Sequence, residues 1–128
     1  MGKKEGIWRL GLFKPDLFDR RAIAGEIYLR VKAALRRRPN IETEVRSPAM
    51  DKRVDQAARS WHHDCGGHAE YIALWCSRRP TEIRNCHTKR RVRLKPFEII
   101  MISNDLYEHR RPPDIQRPRW FAVARIKP

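Results

Sequence analysis

The sequence predicts a single α+β domain with an N-terminal strand, three to four helices and a C-terminal antiparallel pair of strands. Three observations carry this prediction. Apolar residues alternate near the N-terminus, they recur at helical spacing over residues 16–37, and two runs near the C-terminus are rich in β-branched and aromatic residues. A chain of 128 residues has the size of one domain. We therefore expect residues 1–128 to fold as one basic unit.

The first predicted elements are a strand and a long helix. Residues 7–13 alternate weakly between apolar and other residues, as in a strand, and Pro15 ends the pattern. Asp16 is the predicted N-cap of a helix that runs to about Arg37, where a run of arginines suits the negative end of the helix dipole. The predicted buried stripe of this helix consists of Ala24, Ile27, Tyr28, Val31, Ala34 and Leu35.

The middle of the chain predicts further helices. Residues 40–49 form a predicted connector. Apolar side chains fall on one side of a second helix at residues 51–62 and supply the contacts of a short third helix at residues 69–76. Gly66-Gly67 separates these two helices, and Pro80 starts a fourth helical turn at residues 81–87.

The last third of the chain predicts two strands joined by a long loop. Residues 97–103 are apolar on both faces apart from Glu98, which predicts a central strand. Residues 104–119 are rich in arginine and proline and form the predicted loop. Residues 120–126 form a predicted final strand, which pairs antiparallel with residues 97–103.

Positive charge dominates the composition. The chain has 29 Lys and Arg against 15 Asp and Glu, for a formal net charge of +14 at pH 7. Such an excess repels itself unless a polyanion offsets it, so nucleic acid is the first expected partner. RNA is expected over DNA, within a larger ribonucleoprotein assembly, because arginine-rich loops often order on structured RNA.

The candidate nucleic-acid-binding residues come from three basic segments. In residues 89–95 a strand would point Arg91, Arg93 and Lys95 the same way, as suits a row of phosphates. The other two segments are the end of the first helix and the predicted loop. The full set is Arg36, Arg37, Arg38, Lys89, Arg90, Arg91, Arg93, Lys95, Arg110, Arg111, Arg117 and Arg119.

Residues 61–87 hold all three cysteines and four of the five histidines. Cys65 and His68 flank Gly66-Gly67, and so short a spacing lets two ligands face one zinc ion. The hypothesised ligands of a structural zinc ion are Cys65, His68, Cys86 and either Cys76 or His87. In the alternative interpretation Cys76 is a small hydrophobic residue of the core and the histidines bind no metal.

The same stretch resembles the metal site of HNH endonucleases, through His62-His63, Gly66-Gly67 and the sequence Asn-Cys-His-Thr-Lys at residues 85–89. The resemblance implies a small metal-dependent nuclease in which His63 activates water and His87, carried by a later helix, binds the metal. We expect a binding protein rather than an enzyme. This nuclease is the first alternative, and a viral or organellar accessory protein that binds an acidic protein partner is the second.

Cysteine number and hydropathy predict the compartment. Three cysteines cannot all pair within one chain, and no apolar segment typical of a secretory signal follows residues 1–6. No apolar run is long enough for a transmembrane segment. We therefore expect an intracellular, reducing compartment.

Overall fold

A computed structural model describes residues 5–51, 61, 69–78, 81–110 and 119–128. These residues form eight strands in two antiparallel sheets, with one long and one short helix. In chain order the elements are β1 (Ile7–Leu12), α1 (Arg20–Leu35), β2 (Asn40–Arg46), α2 (Pro48–Asp51), β3 (Tyr71–Cys76), β4 (Glu82–Asn85), β5 (Arg91–Arg93), β6 (Glu98–Ser103), β7 (Tyr107–Arg110) and β8 (Phe121–Lys127).

The elements stack in three layers. The large sheet has the strand order β1-β6-β3-β8-β2, and the small sheet has the order β5-β4-β7. Helix α1 covers one face of the large sheet with Ile23, Ile27 and Val31, which are fully buried. The small sheet covers the opposite face, where Ile83 and Leu94 join a second apolar core. The central strands of the large sheet are therefore covered on both sides.

Strand β3 shows how this burial is encoded. Ala73 and Trp75 pack into the core beneath α1, whereas Ile72 and Leu74 pack into the core beneath the small sheet. Successive side chains of a strand point to opposite faces, so a strand covered on both faces contains apolar residues at every position. The sequence of β3 therefore has no alternating pattern.

The predicted set of three to four helices is wrong. The chain is mostly β and only loosely α+β, with strands taking 44% of the described residues. Residues 69–76, predicted as a helix, contain β3, and residues 81–87 contain β4 and part of a hairpin loop. The predicted connector at residues 40–49 contains β2. The predicted second helix, residues 51–62, falls almost entirely outside the described residues.

The predicted C-terminal strand pair is also wrong. Strand β3 lies between β6 and β8, so that Leu74 aligns with Ile100 on one side and with Val123 on the other. The predicted loop at residues 104–119 contains β7, and its residues 111–118 lie outside the described part of the chain. Strand β7 pairs with β4 and not with the large sheet.

The first strand and the first helix lie where the sequence predicts them, although the helix ends differ. Asp19 and not Asp16 is the N-cap, and its carboxylate accepts a hydrogen bond from the Ala22 N–H at 3.0 Å. The helix ends at Arg36, which has a left-handed φ of 56° and donates its N–H to the Lys32 carbonyl. Neither helix formed by the described residues has the length and apolar character needed to cross a bilayer.

Candidate nucleic-acid interface

Five predicted nucleic-acid-binding residues lie together along one side of the small sheet. We call this set the basic edge: Lys89, Arg90, Arg91, Arg93 and Lys95, all of them exposed. Strand β5 carries its centre and is an outer strand of the small sheet. Arg91 pairs with Glu82 at 3.0 Å. The other four basic residues form no ion pair within the described part of the chain, so their charge is available to a ligand.

A hairpin loop at residues 86–89 sets the start of the basic edge. The Asn85 side-chain oxygen accepts hydrogen bonds from the backbone N–H groups of His87 and Thr88, at 2.9 and 3.0 Å. Lys89 has a left-handed φ of 61°, and the Asn85 N–H donates to the Arg90 carbonyl at 2.9 Å. Asparagine commonly caps turns in this way, and the loop reverses the chain from β4 into β5.

Two open cavities lie between β1 and the basic edge. One has a volume of about 600 Å³ and is bordered by Arg90 and the hairpin loop. The other has a volume of about 640 Å³ and is bordered by Lys95. Both contain Arg9 and Arg93, and an Arg9 Nη2 hydrogen bond to the Arg93 carbonyl at 3.1 Å joins the two sheets between them. The two cavities are therefore neighbours, and we call them together the seam.

Arg9 links the two sheets within this seam, and a buried carboxylate holds its side chain in place. Its Nη1 donates to both carboxylate oxygens of Glu98, at 2.8 and 2.9 Å, and Glu98 is only 5% exposed. The same carboxylate accepts the Lys95 N–H at 3.0 Å. Because Glu98 offsets the charge of Arg9, the positive potential of the seam comes mainly from the basic edge.

The outer face of the small sheet carries charges that are already paired. The Arg84 Nε donates to Glu108 at 2.6 Å, and Glu82 pairs with Arg91 and Arg110 at 3.0 and 3.5 Å. The strand register aligns these charges in two rows across the sheet. One row contains Arg91, Arg84 and Glu108, and the other contains Arg93, Glu82 and Arg110. Carboxylates thus hold most arginines of this face in place.

The ring of Trp61 lies over the same face. The guanidinium carbons of Arg84 and Arg110 lie 4.1 and 4.4 Å from its centroid, and that of Arg91 lies 5.7 Å away. These are cation–π contacts, which hold the arginines against the ring. The side chain of Arg110 is 18% exposed, so we leave this predicted binding residue out of the interface. Nothing in the local sequence around Trp61 indicates these partners.

The triple arginine forms a separate basic patch. Arg36, Arg37 and Arg38 are exposed and lead from α1 into β2, which lies at the opposite end of the strand order from β1. Arg37 lies 3.7 Å from the Glu70 carboxylate. The sequence predicts one set of binding residues, whereas the fold divides this patch from the basic edge.

The predicted binding residues of the loop at residues 104–119 do not join the basic edge. Arg119 is 3% exposed, with its guanidinium 5.4 Å from the centroid of Phe121 and its Nη2 donating to Thr81 at 3.5 Å. A side chain packed in this way does not reach a phosphate backbone. Arg111 and Arg117 lie outside the described residues.

Two of the hypothesised zinc ligands lie far apart. Cys76 is fully buried at the end of β3, with its Sγ 3.3 Å from the Thr81 hydroxyl. From Thr81 to Cys86 the chain runs along β4, about 16 Å at the rise of a strand. Zinc–sulfur bonds measure about 2.3 Å, so Cys76 and Cys86 do not fit one ion. Of the two hypothesised ligand sets, this distance is therefore compatible only with the set in which His87 replaces Cys76.

The remaining metal hypotheses concern residues that the structure does not describe. Cys65 and His68 lie outside the described residues, as does His63, the predicted base of a nuclease. Within the described ranges no three His, Cys, Asp or Glu side chains are grouped to hold a metal ion. His87 is exposed in the hairpin loop, whereas the HNH resemblance implies a helix there. The zinc site on Cys86 and His87 stays a prediction.

The Cys86 thiol is expected to react slowly. Burial raises its pKa, and the neighbouring Glu108 carboxylate adds to the effect. Only the thiolate is nucleophilic, so alkylation by iodoacetamide near pH 8 should be slower in the folded protein than in the urea-unfolded chain. Because the Cys86 pKa is higher in the folded protein than in the unfolded chain, the free energy of unfolding is largest below the unfolded pKa. It falls as pH rises through the folded pKa. Mass spectrometry of the Cys86 peptide measures the rate.

Chelator treatment provides the control for this experiment. Near pH 8 a zinc-bound thiolate is protected until a chelator removes the metal, whereas the rate of a metal-free thiol rises with pH and does not change with the chelator. Equal alkylation rates for folded and unfolded chains would contradict a raised pKa.

Comparison with known proteins yields no match to a family model, to a curated protein or to a solved structure. Only the geometry and charge of the described residues therefore identify the candidate interface.

Proposed function

We propose that the protein binds nucleic acid through the phosphate backbone, along the basic edge. The observation that carries this proposal is the group of exposed cations beside β5, four of which have no ion pair among the described residues. Arg91 and Arg93 lie two residues apart on one strand, about 6.6 Å from each other. Such a row of guanidinium groups suits repeated contacts to one phosphate chain.

The proposal specifies backbone contacts and not base recognition. Phosphate contacts position a nucleic acid and supply affinity, but they carry no sequence information. Tyr107 borders the seam but is only 7% exposed, and its hydroxyl donates to the Glu5 carbonyl at 2.8 Å. We therefore expect similar affinities for oligonucleotides of different sequence.

Three finer predictions from the sequence remain open. The preference for RNA depends on a long arginine-rich loop, and β7 occupies part of that segment. Membership of a ribonucleoprotein and a structural zinc ion are likewise predictions. Competition between RNA and DNA strands of equal length tests the first of them.

A salt titration tests the proposal. Each phosphate contact to a single strand adds about 0.7 to the steepness of log affinity against log salt, so four contacts predict a slope of about −3. Fluorescence anisotropy of a labelled oligonucleotide of about 20 nucleotides, between about 50 and 200 mM salt, measures it. An affinity independent of salt would contradict backbone binding.

Polyglutamate of matched charge is the control ligand for the same titration. Carboxylates accept paired hydrogen bonds from arginine as phosphates do, so the oligonucleotide should bind more tightly only if the basic edge matches the spacing of a phosphate backbone. Tighter binding of polyglutamate would favour an acidic protein partner instead.

A further inference from the structure

The seam beside the basic edge has an apolar floor as well as a charged rim. In the 600 Å³ cavity, Val92 and Leu106 are half-buried and present apolar surface, and they pack against the core to which the buried Ile7 belongs. Arg90 and Arg93 stand at the rim of the same cavity. A surface that met only phosphates would not need an apolar recess between its cations.

This combination distinguishes single strands from duplexes. A duplex keeps its base faces stacked inside and presents phosphates and sugars outward, so a recess between two sheet edges stays empty against it. An unpaired nucleotide can turn its base out of the stack and place the apolar face against protein. A positive groove that follows the backbone is the other feature of single-strand sites.

We infer that the seam binds unpaired, single-stranded nucleic acid, with bases against a floor of Val92 and Leu106 and phosphates on the basic edge. This inference rests on the proposed function and names its substrate class. The strand runs along β5, past the Arg9–Arg93 bridge, from the first cavity into the second. From Arg90 to Lys95 the chain spans about 17 Å. At one phosphate for every two residues of the strand, about 6.6 Å, that length takes about three to four nucleotides.

Two measurements on the full chain test the inference. The first compares an oligouridylate of about 12 nucleotides with a duplex of equal length, by anisotropy at about 0.1 M salt. We expect the single strand to bind at least about tenfold more tightly, because base contacts add to phosphate contacts. Affinity should rise with length up to about three to four nucleotides and then level off.

The second measurement places the strand on the protein. An oligonucleotide carrying 4-thiouridine is crosslinked by near-ultraviolet light, and the crosslinked peptides are identified by mass spectrometry. Crosslinks in the peptides that contain Val92 or Leu106 support the inference. Crosslinks confined to the Arg36–Arg38 patch overturn it, since the strand would then lie at the opposite edge of the large sheet.

The outcomes separate this inference from the proposed function. Equal or tighter binding of the duplex, still weakened by Arg93→Gln, overturns the single-strand inference and leaves backbone binding standing. Binding of neither nucleic acid above the level of polyglutamate overturns both. Tighter binding of the single strand, with crosslinks in the floor peptides, supports both.

Discussion

Replacing Arg90 and Arg93 together by glutamine should weaken nucleic-acid binding by roughly 30-fold at about 0.1 M salt. Both side chains are exposed, and neither forms an ion pair within the described residues, so each can lose a charge-assisted contact to phosphate. The slope of log affinity against log salt should become shallower by about 1.4, since about 0.7 belongs to each contact with a single strand. Anisotropy titrations of the double variant measure both quantities.

The matched control removes the same charge from the opposite side of the molecule. Arg21 and Lys32 are exposed on α1, which covers the face of the large sheet away from the small sheet. Arg21→Gln with Lys32→Gln should change affinity less than about threefold, because these side chains contribute only long-range, screened potential. Equal losses in the two double variants would show that binding follows net charge and not the basic edge.

Trp75→Ala should cause the largest loss of stability, about 4 kcal/mol in the free energy of unfolding. Trp75 is fully buried in β3, and its ring lies 6.1 to 6.5 Å from the rings of Phe13, Phe18 and Phe97. Its indole N–H donates to the Phe13 carbonyl at 2.9 Å. Truncation leaves a cavity and an unsatisfied carbonyl, both of which destabilise the folded state. Urea unfolding followed by circular dichroism measures the change.

Trp75→Phe separates the two contributions. Phenylalanine keeps much of the ring but cannot donate the hydrogen bond, so a smaller loss of about 1–2 kcal/mol is expected. A loss under about 1 kcal/mol for Trp75→Ala would contradict the burial of β3 between two layers.

The sequence predicts α1 because one side of that helix faces water. Ile27 and Val31, both in the predicted stripe, are buried, whereas Leu29 between them is exposed. No such contrast exists in β3, where Ile72, Leu74 and Trp75 are all fully buried. A short run of apolar residues has no period, so its residues alone do not decide between a helix and a strand.

The sequence predicts a helical turn where the hairpin after β4 lies, and the reason is local. Pro80 followed by Thr81 is compatible with a helix start, which led to the prediction of a helical turn over residues 81–87. The informative residue is Asn85, whose side chain caps the loop that precedes Lys89. The available signal for a turn is the asparagine itself, because asparagine side chains commonly accept hydrogen bonds from the backbone of a turn.

The basic edge is partly visible in the sequence, but the seam is not. Its five cations fall within seven consecutive residues, so their number and spacing can be read from residues 89–95 alone. The opposite wall comes from Arg9, which is 89 residues from its partner Glu98. The sequence does not predict the burial of Arg119 either, because the residues around it do not indicate the contacts with Phe121 and Thr81 that cover its side chain.

Hydrogen–deuterium exchange of the protein with and without a saturating oligonucleotide tests most directly where nucleic acid binds. If the basic edge is the interface, peptides covering residues 85–95 should gain protection on binding, while peptides from α1 and the Arg36–Arg38 patch should exchange as in the free protein. Protection confined to Arg36–Arg38 and the adjoining β2, with residues 85–95 unchanged, would contradict the account and move the interface to the far edge of the large sheet.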